Sequence, residues 1–116
     1  MNAPVFTLKH IGINTADGAA AAELSGCLCG IFGLTPGHEN DTHIFAGSLF
    51  EVMKNGRLGT YGHIALQTAD VEKAIAYLAG KGVGIRERTV RRDDSGSIIF
   101  AYLDREFGGF AVHLTQ

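Results

Sequence analysis

Two octets constrain this chain more than any other feature. His10-Ile11-Gly12-Ile13-Asn14-Thr15-Ala16-Asp17 recurs as His63-Ile64-Ala65-Leu66-Gln67-Thr68-Ala69-Asp70, at an offset of 53 residues and with His, Ile, Thr, Ala and Asp unchanged. A repeat of this kind means that one supersecondary unit is built twice. In each octet the apolar side chains alternate. Ile11 and Ile13, or Ile64 and Leu66, take one side; His10, Gly12 and Asn14, or His63, Ala65 and Gln67, take the other. That is the pattern of a strand with one buried face. Each octet closes on Asp, a good helix N-cap, and a 3.6-residue pattern follows. The spacing predicts helices over residues 18–32, stopping at Gly33, and over 71–79, stopping at Gly80 or Gly82.

Three short strand-like runs follow each helix, over 34–37, 42–46 and 48–53 in the first half and over 84–91, 98–103 and 110–114 in the second. Asp94-Ser95-Gly96 is a turn signal, and the Gly-rich stretch 55–62 reads as a connector. Both halves therefore read β-α-β-β-β. The expected architecture is α+β: a single domain over 1–116 made of two βαβββ modules, about 6–54 and 62–116.

Composition narrows the function. Hydrophobic residues make up 46% of the 116 and charged residues 19%, with a formal net charge of −2, which argues against disorder and against a nucleic-acid partner. No apolar run is long enough to span a bilayer, and the N-terminus lacks the basic and apolar regions of a signal peptide. A cytoplasmic location with no membrane or nucleic-acid partner is expected. Cys27 and Cys29 point about 200° apart on a helix, so they read as reduced thiols rather than a redox pair.

The module ends correspond as well. Gly47-Ser48-Leu49-Phe50-Glu51-Val52 parallels Gly109-Phe110-Ala111-Val112-His113-Leu114, which makes Glu51 and His113 equivalent. Phe50 and Val52, like Val112 and Leu114, alternate onto the helix side, so Glu51 and His113 turn to the face carrying His10 and His63. If the sheet curves into a cup, the four converge. Three imidazoles and a carboxylate suit a divalent transition metal such as Zn, Ni, Co, Mn or Fe. The alternative is a hydrogen-bonded polar lining without metal. Arg86 and Arg88 share a face of their expected strand, where they clamp an oxyanion or simply guard an exposed edge. His43 shares parity with Phe45, which puts it either in the same pocket or, taken alone, on the strand surface. Phe100 and Tyr102 share a face read as core, while His38, Arg91 and Arg92 read as solvent-facing.

The paired modules, each opening on a His strand and closing on a Gly-x-x-apolar-acid/His-apolar strand, resemble the vicinal oxygen chelate superfamily, which includes glyoxalase I, bleomycin resistance proteins and methylmalonyl-CoA epimerase. The resemblance covers about residues 6–116. It implies a curved, cup-shaped mixed sheet with helices on the outer face, and metal ligands at His10, Glu51, His63 and His113. It also implies a metal-dependent lyase or isomerase acting on a small 2-oxo or 2-hydroxy acid, such as a sugar acid or its phosphate. Glu51 would then be ligand and proton carrier, while Asn14, Gln67, Arg86 and Arg88 would bind substrate. The chain departs from the commoner closing pattern, Gly-Asn-x-x-Glu, by ending on His113.

Runs such as His43-Ile44-Phe45-Ala46-Gly47 and Phe107-Gly108-Gly109-Phe110-Ala111-Val112-His113-Leu114 further resemble the small glyoxalase-like module attached to some bacterial 2-keto-3-deoxy-6-phosphogluconate aldolases. That likeness implies a keto-acid aldolase as a partner. A homodimer is also expected. The competing reading is a non-catalytic small-molecule-binding or aldolase-associated accessory module.

Overall fold

A computed structural model describes residues 3–116. In chain order the elements are β1 (Thr7–Asn14), α1 (Gly18–Phe32), β2 (Pro36–Glu39), β3 (His43–Ala46), β4 (Phe50–Met53), β5 (Gly62–Gln67), α2 (Val71–Ala79), a 3-10 turn at Glu87–Thr89, β6 (Arg91–Arg92), β7 (Ile98–Phe107) and β8 (Phe110–Thr115). The β-α-β-β-β order thus occurs twice. All eight strands form one mixed sheet, ordered β2-β3-β4-β1-β5-β8-β7-β6. The two repeat strands, β1 and β5, pair antiparallel at its centre, and each runs parallel to the closing strand of its own half, β4 or β8.

Both helices start where the octets end. The Asp17 carboxylate accepts from the Ala20 N–H at 2.8 Å, and Asp70 accepts from Lys73 at 3.1 Å. Each satisfies a backbone donor that the first helical turn leaves orphaned. α1 stops at Gly33, whose φ of 71° suits a residue without a Cβ. The helix-side face of the sheet is apolar as the alternation requires. Val112 and Leu114 of β8 and Leu103 of β7 pack with Val71 and Ala74 of α2, while Val52 is buried on β4. Cys27 and Cys29 are both free, the first exposed. Among the described residues no helix is long and apolar enough to cross a membrane.

One expected strand is not there. Of the run 84–91, only Arg91 lies in a strand, the two-residue β6, and Glu87–Thr89 is a 3-10 turn. Thr89 explains the break: its hydroxyl donates to the Arg86 carbonyl at 2.7 Å and accepts from the Tyr102 N–H at 2.9 Å. A side chain has replaced a rung of the ladder, as Thr can wherever it competes with backbone pairing. Arg86 and Arg88 therefore do not share a strand face. β7 in turn runs past its expected end at 103 to Phe107, through a register shift between Tyr102 and Glu106.

Candidate metal centre

Register brings the singled-out residues together. Gly12 lies opposite His63 on β5 and beside Glu51 on β4, while Ala65 lies opposite His10 on β1 and beside His113 on β8. Paired residues project to the same face of a sheet, so His10, Glu51, His63 and His113 all rise on the side away from the helices. Each repeat histidine stands across from the small residue two positions after its counterpart. The space matters: a Cβ on Gly12 would lie 2.1 Å from His63 Cε1 and 2.2 Å from its Nδ1.

The side chains meet at short range. Glu51 Oε1 is 2.8 Å from His63 Nε2 and 3.3 Å from His10 Nε2, and those two nitrogens are 3.3 Å apart. His10, His63 and His113 each offer one ligand atom within 4.8 Å of the others'. His63 and His113 are only 4% and 5% exposed. Nδ1 of His63 and Nδ1 of His113 are buried with no hydrogen-bond partner among the described residues. A buried, unmet nitrogen costs about 1–3 kcal/mol, so such atoms call for an explanation. The gathering of three imidazoles about one carboxylate is itself what a bound cation would explain. The donor set fits a divalent transition metal, which takes imidazole nitrogen and carboxylate oxygen together.

The electrostatics agree. Burial alone would raise the Glu51 carboxyl, but hydrogen bonds from His10 and His63, and their charge, hold it well below the usual carboxylate range. Burial pushes His113 down to about 3, helped by His63 and His10. It is thus neutral, with a lone pair to offer, at any ordinary pH. A stability prediction follows from the sign of that shift. The folded state keeps His113 neutral while the unfolded chain titrates near 6.5, so unfolding takes up a proton between those values. Its contribution is complete above 6.5 and is lost as pH falls towards 3, at up to about 1.4 kcal/mol per pH unit. Urea midpoints of chelator-treated protein are expected to fall more steeply between pH 6.5 and 4 than those of His113→Gln; equal slopes would contradict this.

Two residues outside the expected ligand set complete the cluster. His43 Nδ1 is 2.8 Å from Glu51 Oε2, and His38 Nδ1 is 2.9 Å from His43 Nε2. With Glu51 ionised, His43 donates from Nδ1, which leaves Nε2 to accept from His38. His38 is thus on β2 and tied to the site through His43. Burial lowers His43, against the pull of Glu51. Phe100 and Tyr102, read as core, instead stand on the cup face: the His113 ring centroid is 4.5 Å from that of Phe100 and 4.9 Å from that of Tyr102. Burial and the Glu51 charge raise the Tyr102 phenol, which keeps it a proton donor.

His10, Glu51, His63 and His113 share one cavity of about 870 Å³. Of the expected substrate-binding residues only Arg88 lines it. Gln67 lines a separate depression with Val5 and Lys73, and Asn14 turns to the connector, donating to the Gly59 carbonyl at 2.9 Å. Arg86 belongs to the 3-10 turn's entrance. Arg91 is exposed, as expected, and its guanidinium carbon lies 4.8 Å from the Phe100 ring centroid on the cavity wall.

No protein-family model and no curated protein sequence matches this chain. Solved structures do. A hypothetical protein, BH1468 from Bacillus halodurans C-125, superposes with a TM-score of 0.66 at 17% identity over 95% of this chain and 93% of its own. A Streptomyces coelicolor methylmalonyl-CoA epimerase variant in complex with 2-nitronate-propionyl-CoA gives 0.62 at 22% identity, over 92% and 94%. A further methylmalonyl-CoA epimerase gives 0.65 at 19%, over 99% and 98%. This chain shares the fold of these methylmalonyl-CoA epimerases. At these identities the likeness is one of fold, and the chemistry of the site has to come from its own residues.

Proposed function

We propose that this protein is a metal-dependent enzyme of isomerase or lyase type that acts on a small 2-oxo or 2-hydroxy acid. The observation that supports it is the convergence of His10, His63, His113 and Glu51 on one buried point at the base of a cavity. His10, His63 and Glu51, with His113, would hold the ion. When bound, a divalent metal acts as a Lewis acid that polarises a neighbouring carbonyl and steadies negative charge developing beside it. The chain's own groups do the rest. Glu51, ionised and held through Oε2 by His43, would take a proton from the carbon next to that carbonyl. Tyr102, protonated on the cavity wall, donates a hydrogen bond to a substrate oxygen. The rings of Phe45, Phe100 and Tyr102 pack against the histidines, Phe45 on His10 and the other two on His113.

Elemental analysis of untagged protein purified without chelator tests this reading. About one equivalent of a transition metal per chain is expected for the native protein and none for His63→Ala, since each ligand contributes to holding the ion. Loaded protein should also exchange the methyl protons of pyruvate with deuterium from solvent. Failure to take up any metal on titration would leave small-molecule binding without catalysis as the better account. To the same proposal belong a cytoplasmic homodimer and an aldolase partner; sedimentation and co-purification read those two associations.

A further inference from the structure

The base of the cavity is imidazole and carboxylate, but its walls are cationic. Of the chain's ten Lys and Arg residues, Lys9, Arg57, Arg88 and Arg91 line this one cavity, and of its twelve Asp and Glu residues only Glu51 does. The Glu51 charge is already engaged by His10, His43 and His63. Among the described residues none of the three guanidinium groups is paired with a carboxylate; Asp104 takes Arg105 and Glu39 takes Lys54, both elsewhere. A chain with a formal net charge of −2 has thus gathered four positive groups around one opening. All four are exposed at the rim, so their summed positive potential faces any anion that enters the opening. Arg91 also lies over the Phe100 ring, its guanidinium carbon 4.8 Å from the centroid, which is within cation–π range. Arg57 and Arg91 lie near enough to Tyr102 to oppose the rise of its phenol.

We propose that Arg57, Arg88 and Arg91, with Lys9, form an oxyanion subsite, so that the substrate carries a phosphate monoester or second carboxylate at the end remote from the group held by the histidine-carboxylate cluster. This deepens the reading above, since it concerns the other end of the same cavity, but it has its own footing. Guanidinium forks recognise phosphate and carboxylate through paired N–H donors, and they need no metal to do so. A substrate with one charged group at each end would be pinned at two points. That sets its direction in the cavity and presents the carbon between them to Glu51.

The probes are inorganic phosphate and succinate, measured by calorimetry on the full chain at low salt. Phosphate or succinate is expected to bind both native protein and His63→Ala. Arg57→Ala, Arg88→Ala and Arg91→Ala should each weaken binding by about tenfold, because charge-assisted hydrogen bonds are among the stronger ones. Arg91→Lys should recover only part of the loss, and Arg105→Ala, away from the cavity, should cause none. Tighter binding of phosphate assigns the subsite to a phosphate ester, and tighter binding of succinate assigns it to a second carboxylate. If neither anion binds, or if binding is indifferent to all three arginine changes, the subsite does not exist, whatever the metal content. If the anion binds but the native protein takes up no metal on titration, the oxyanion subsite stands and the metal-dependent reading fails. Thermal midpoints of each variant separate lost binding from lost folding.

Discussion

Gly12→Ala is expected to abolish metal binding while leaving the sheet in place. The added methyl would sit 2.1–2.7 Å from three atoms of the His63 ring, closer than any Cβ contact tolerates. Its backbone neighbours pair in regular register, with Gly12 facing His63 and flanking Glu51, so the strand has no reason to move. The ring must yield instead. His63 is almost fully buried, and rotating it takes Nε2 away from Glu51 Oε1 and His10 Nε2, the partners it now meets at 2.8 and 3.3 Å. Losing a correctly placed ligand should weaken metal binding by at least about a hundredfold, the upper end for changes that only disturb a ligand's support. A cycle with His63→Ala checks the mechanism: the double variant should bind metal no worse than either single one. Additive losses would mean that Gly12 acts on something other than the His63 ring. Ala65, the counterpart opposite His10, already carries the methyl that β1 and His10 can accommodate. The repeat is therefore symmetric in plan and unsymmetric where the more buried histidine needs room.

That asymmetry also shows which parts of the molecule could be read without coordinates. Helix starts were legible because Asp17 and Asp70 carry a local mechanism, a side-chain cap, at equivalent places in a repeated octet. Alternation assigned the faces of β1, β4, β5 and β8, and the convergence of His10, Glu51, His63 and His113 then needs only the order in which those four strands lie side by side. The contact of His43 with Glu51 and the face of Tyr102 were out of reach for a different reason. The neighbours of both residues across the sheet depend on the register between strands, where Tyr102 meets His113 and Phe45, two residues past His43, meets Glu51. A period of two fixes a face but not a partner. The 3-10 turn at Glu87–Thr89 escaped because a single hydroxyl, that of Thr89, outcompeted backbone pairing in a run that otherwise alternates like a strand. With that strand gone, the arginines at the opening are Arg88 and Arg91, three apart across a turn, joined by Arg57 from the connector. No periodicity in the chain links residue 57 to residue 91.

Glu51→Gln keeps the size of the side chain and removes its charge, and it should be the most damaging single change in the cavity. The carboxylate works with both oxygens: Oε1 faces the Nε2 atoms of His10 and His63, and Oε2 accepts from His43 Nδ1. An amide can place its oxygen at only one of those positions. With the oxygen towards His43, the NH₂ faces the two repeat histidines, donates to their lone pairs and cannot ligate an ion. With the oxygen towards His10 and His63, the NH₂ faces His43 Nδ1, and His43 has to shift its proton to Nε2 and reverse its bond to His38 to accept from it. Either way metal affinity is expected to fall by at least about a hundredfold, and proton exchange on a 2-oxo acid by roughly 10²–10⁴-fold even at saturating metal, the usual range for losing a positioned base. Glu51→Asp separates the two roles. It keeps the charge but shortens the reach, so it should retain more metal than Glu51→Gln while still losing most of the exchange. Full metal binding in Glu51→Gln with exchange abolished would make Glu51 a base and not a ligand. Full exchange in that variant would remove it from the chemistry altogether and leave His10, His63 and His113 to hold the ion without a carboxylate.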